Sequence, residues 1–147
     1  MNKFIMKGYN VNEVIIMNTK RIYEFLEKQG LDEIDQIEYK EKIAVFNFVY
    51  TFDDAEIEAA KEYANENYED KGEDVWYDEY FLPYLVDIAV DNVRDIVEDL
   101  AEEFDLNVDF VTYELDRNFF EQCEFVLIAS DKDVNFDTDK VLDDLDL

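Results

Sequence analysis

Residues 43–68 read IAVFNFVYTFDDAEIEAAKEYANENY, and the change of pattern inside this stretch decides the fold. Residues 43–52 are dense in Val, Phe and Tyr, side chains that suit a pleated, half-buried surface, and they predict a strand central in a sheet. Asp53 follows at once, with Glu56 three positions on, which makes an N-terminal capping pair for a helix. Ile57, Ala60, Ala64 and Tyr68 then recur at helical spacing and give that helix its buried side. A strand passing straight into an amphipathic helix sets helix against sheet.

Working outward, residues 34–39 read as a second strand, joined to the first by a turn near Glu41. Residues 11–17 are apolar enough for a further strand, after which Asn18 or Thr19 caps a helix carrying Ile22, Phe25 and Leu26 and ending at Gly30. Downstream, Pro83 stands at a helix start, and Val86, Ala89, Val93, Ile96, Val97, Leu100 and Phe104 repeat at helical spacing. Residues 108–115 and 120–129 predict a closing hairpin around Asp116, Arg117 and Asn118. The expected order is β-α-β-β-α-α-β-β followed by an acidic tail, residues 136–147, with some helical promise. That order specifies an α+β fold, a mostly antiparallel sheet packed by about three helices. No repeat, linker or low-complexity tract divides the chain, so residues 1–147 are expected to form a single domain.

With 48% apolar and 16% aromatic residues the chain lies outside the composition of disordered acidic segments. Cys123 is the only cysteine, which excludes an intrachain disulfide, and Phe125 and Leu127 on the same alternating face predict a buried, inert thiol. No apolar run reaches the roughly 18 residues of a spanning helix, and residues 1–17 do not have the form of a signal peptide. The expectation is a cytoplasmic protein that does not enter a membrane.

Charge is distributed one-sidedly. Residues 1–50 hold 8 acids against 7 bases, whereas residues 51–147 hold 32 acids against 6 bases. The chain thus divides into a balanced portion (1–50), an acidic portion (51–130) and an acidic tail (131–147). Like charges on one compact body repel and weaken it, so stability does not account for this surface. A salt-adapted composition would make residues 1–50 acidic as well. Nucleic acid and anionic headgroups are repelled by such a surface, and the implied partners are cationic: basic nucleic-acid-binding proteins, polyamines or divalent cations.

Within the acidic portion the carboxylates are ordered. Asp87, Asp91, Asp95, Glu98 and Glu102 fall in one stripe opposite the apolar face of their helix, and Glu58, Glu62 and Glu66 repeat the spacing on the preceding helix. From Asp87 to Glu102 the rise is about 22 Å at 1.5 Å per residue. One DNA strand places roughly six or seven phosphates along that length. Ordinary solvated faces mix signs, and here Arg94 is the one nearby base. Between the two helices, residues 68–84 interleave acids with aromatics. Their aromatics either belong to the core or, with Trp76 and Tyr77 exposed beside Asp74, Asp78 and Glu79, anchor a partner.

Catalytic patterns are thin. The chain has no histidine, and Cys123 has no imidazole to activate it. Asp131 to Asp139 places oxygen ligands at alternate positions like a calcium loop, but Phe136 stands where the turn needs Gly and Leu142 where a bidentate Glu is needed. The expectation is therefore a protein that is not an enzyme, without metal or cofactor.

In surface character the chain resembles the acidic DNA-mimic inhibitors of phages and mobile elements, the anti-CRISPR and anti-restriction proteins. The resemblance rests on small size, the two carboxylate stripes and the tail ending Asp143-Asp144-Leu145-Asp146. It carries no shared motif and transfers no binding residue. What it implies is an inhibitor whose carboxylates occupy the basic DNA-binding surface of an RNA-guided nuclease or restriction enzyme in a host cytoplasm. The competing expectation is a non-mimic interaction module that binds through residues 68–84.

Overall fold

Two strands that are apolar on both faces, β2 (Ile43–Thr51) and β4 (Gln122–Asp131), lie side by side in the middle of the sheet. They pair antiparallel in one unbroken register, from Ile43 opposite Ser130 to Thr51 opposite Gln122. β1 (Asp32–Ile37) pairs with the free edge of β2 and β3 (Leu106–Thr112) with that of β4, so the order is β1-β2-β4-β3 and every pair is antiparallel. The computed structural model describes the backbone of residues 10–147 and the side chains from Thr19 onward.

Alternation along the strands sends side chains to two faces, and each inner strand needs both covered. One face carries Phe46, Phe48, Phe125 and Leu127. Against it pack Ile22 and Leu26 of α1 (Asn10–Lys28), Ala60 and Ala64 of α2 (Asp54–Asn67), and Leu85, Ala89, Val93 and Leu100 of α4 (Leu82–Phe104). Burying each of the large side chains contributes about 1.5–3 kcal/mol, and this layer is the main core. The other face carries Val45, Val126 and Ile128, covered by Val141 of α5 (Thr138–Asp144) with Leu142 and Leu145. Among the described residues no helix is long and apolar enough to cross a membrane.

The capping pair after β2 forms as expected. The Glu56 amide donates to the Asp53 carboxylate at 2.7 Å and the Asp53 amide donates back to Glu56 at 3.0 Å. The second oxygen of Glu56 accepts from the Tyr50 hydroxyl at 2.6 Å, and Asn92 on α4 donates to that hydroxyl at 2.8 Å. One cluster therefore ties β2, α2 and α4 together.

Two segments differ from the sequence expectation. Residues 11–17 are the first part of α1, which begins at Asn10, and not a strand. Val11, Val14 and Ile15 satisfy helical spacing as well as strand propensity, and a seven-residue segment cannot arbitrate between them. The helix runs through Asn18 and Thr19 without a break. Helix also begins before Pro83: a short turn α3 (Glu73–Val75) and a π-helical turn (Trp76–Phe81) lead without a gap into α4. The Leu82 amide donates to the Tyr77 carbonyl, five residues back. In α-helical register the ring of Pro83 would meet the Glu79 carbonyl, and a wider π turn before it relieves that conflict. The tail forms the short helix α5, in line with its helical promise, and Asp137 caps it by accepting from the Lys140 amide at 3.3 Å.

Candidate functional site

α4 runs 23 residues, and its buried positions, Leu82, Leu85, Ala89, Val93, Val97 and Leu100, all belong to the main core. Helical geometry then turns Asp87, Asp91, Asp95, Glu98 and Glu102 to the opposite side, and all five are exposed. Arg94 is the one base in the helix and lies 3.4 Å from Asp91, with both side chains largely in water. Such an exposed pair contributes at most about 1 kcal/mol and leaves the field of the row intact. Glu58, Glu62 and Glu66 are likewise exposed on α2, opposite Ala60 and Ala64, with Lys61 at 3.7 Å from Glu58. Both rows thus look outward from the same helical layer.

The aromatic segment is built differently from the rows. Trp76 and Tyr77 are half-buried against the main core. The Trp76 ring stacks on Phe81 at 4.7 Å, and its indole N–H donates to Asn65 on α2 at 2.8 Å. Asp74 and Asp78 are tied within the chain, since Arg117 donates to them at 2.8 and 3.0 Å. The same guanidinium lies 5.0 Å from the centre of the Tyr77 ring. The two carboxylates keep Arg117 firmly charged, pushing its pKa above the ordinary arginine value. Glu79 is exposed, and no ion pair of its own accompanies it among the described residues.

Two features escape a reading of the sequence. Phe119, in the tight turn closed by Asp116, is 78% exposed while its neighbour Phe120 packs on Phe81. A Phe-Phe pair in a hairpin gives no sign of which ring turns outward. Arg117 was legible only as a turn residue, although a base among so many acids is itself a signal of a dedicated contact.

Elsewhere the chemistry is quiet. Cys123 is fully buried, and burial pushes its thiol above the usual range, consistent with an inert side chain. Among the described residues no group of three or more His, Cys, Asp or Glu side chains is arranged to hold a metal ion. In the calcium-loop-like stretch the Asp137 carboxylate is engaged as the cap of α5.

No family model, no curated protein and no solved structure matches this chain.

Proposed function

We propose that this protein is a non-enzymatic inhibitor that imitates nucleic acid. Its carboxylate rows occupy the basic surface with which a host defence nuclease, such as a CRISPR effector or a restriction enzyme, binds DNA. The observation that carries this reading is the outer face of α4, where five carboxylates stand exposed along one unbroken helix whose own sequence holds a single base, Arg94. A helix of 23 residues is a stiff ruler. Lysines and arginines arranged for successive phosphates accept such a row, and DNA is excluded by competition.

A second reading, a module anchored by an aromatic side chain, is favoured by one observation, the 78% exposure of Phe119. The half-buried Trp76 and Tyr77 support it less than the sequence suggested. One experiment separates the two. The immobilised protein is used to capture a basic partner from host lysate at low salt, and the bound material is challenged with duplex DNA. The mimic reading expects DNA to displace the partner, the triple variant Asp91→Lys, Glu98→Lys, Glu102→Lys to lose it, and Phe119→Ala to keep it. Loss of the partner on Phe119→Ala, with the triple variant unaffected, moves the interface to the hairpin and ends the mimic reading.

A further inference from the structure

Between the start of α4 and the segment that follows β3 lies a groove of about 400 Å³. Its floor is apolar, with Leu82, Pro83 and Val86 from α4 and Leu115 from the segment opposite. Asp78, Asp87 and Glu114 add acidic side chains to the lining, and among the described residues no base lines it. Asp87 is also the first carboxylate of the α4 row, so the groove opens at one end of that row.

An apolar slot rimmed by carboxylates is complementary to one kind of side chain, a long apolar stem with a cation at its tip. The neighbouring surface already holds such a group in its own Arg117, which covers Tyr77 and bonds to Asp74 and Asp78. Asp78 stands between the two places, bonded to Arg117 and bordering the groove. Guanidinium is the better fit of the two common cations. It is planar, weakly hydrated and able to fork between carboxylates, whereas an ammonium must shed a tightly held water shell to sit over Leu82 and Val86.

We propose that this groove seats an arginine side chain of the basic partner. The inference rests on the nucleic-acid-mimic reading of α4 and adds to it a fixed point. An evenly spaced row of carboxylates can slide by one turn along a basic channel at little cost. An arginine held in a shaped slot at the end of the row sets the register.

The test uses methyl-labelled protein titrated at physiological salt with a hexa-arginine peptide and with a hexalysine peptide of equal charge, followed by NMR. Saturable shifts are expected for the methyls of Leu82, Val86 and Leu115, with the arginine peptide binding about fivefold or more tighter than the lysine peptide. Asp87→Asn with Glu114→Gln should weaken hexa-arginine severalfold more than Glu98→Gln with Glu102→Gln, which removes the same charge. All four side chains are exposed, so the fold is not at stake. Unmoved groove methyls, equal binding of the two peptides or equal effects of the two double variants would overturn the groove and leave the row untouched. If the groove methyls respond as expected while Lys substitutions along the row leave capture and DNA displacement unchanged, the groove stands and the mimic reading falls.

Discussion

At the scale of single residues, the side chains that join elements are more informative than those that merely fill the core. Tyr50 donates to Glu56 and accepts from Asn92, so its hydroxyl closes a polar link between β2, α2 and α4. Tyr50→Phe should cost about 1.5–3 kcal/mol, the range for a hydrogen bond to a charged group, measured by chemical denaturation. Burial and then the bond to Glu56 raise the pKa of this tyrosine, and burial raises that of Cys123. A raised folded value means that the contribution to stability is complete below the unfolded pKa and is lost as pH rises through the folded one. Stability should therefore begin to fall above about pH 8.5, where unfolded cysteine ionises, and fall further beyond about pH 10, where unfolded tyrosine does. Denaturation midpoints between pH 7 and pH 11 check this, and Cys123→Ala should remove the first part of the loss. In the native protein Cys123 should resist a thiol reagent at pH 8 and react only at the rate of unfolding.

At the scale of elements, the α4 row sets stability against binding. Asp95 has Asp91 and Asp99 four residues away on either side, and like charges at that spacing repel by a few tenths of a kcal/mol per pair. Asp95→Lys turns both repulsions into attractions and should stabilise the fold by roughly 1 kcal/mol while weakening partner capture. A variant that gains stability and keeps full binding would show that the row serves solubility alone. On the opposite face of the sheet, Val141→Ala should cost about 2 kcal/mol, because α5 covers Val45 and Ile128 through that side chain. Much of this architecture was legible in the sequence. Phe46 and Phe48 marked β2, the Asp53 and Glu56 pair marked the start of α2, and the spacing from Val86 to Phe104 marked α4. The illegible parts have physical reasons. Residues 11–17 fit a helix and a strand equally, and the π turn before Pro83 answers a backbone conflict that leaves no periodic trace. The exposure of the α4 acids followed from periodicity, whereas the engagement of Asp74 and Asp78 by Arg117 needed the hairpin to fold back onto residues 74–78.

At the scale of the whole molecule, a net charge of -27 acts in opposite directions on the fold and on its complex. Raising salt from about 10 mM to about 150 mM shortens the Debye length from roughly 30 Å to roughly 8 Å and relieves the repulsion of the acids for one another. The melting temperature of the free protein should rise over that range, as read by circular dichroism, and a salt-independent value would mean that the acids do not strain the fold. A complex built on the same acids should weaken over the same range, because the field that strains the fold is the field that attracts a basic partner. The most direct measurement is the affinity of the captured partner as a function of salt, with and without competing duplex DNA. Nucleic-acid imitation predicts that log affinity falls steeply and linearly with log salt, and that DNA and this protein exclude each other from the partner. Affinity that ignores salt, or a partner that holds DNA and this protein together, would contradict it.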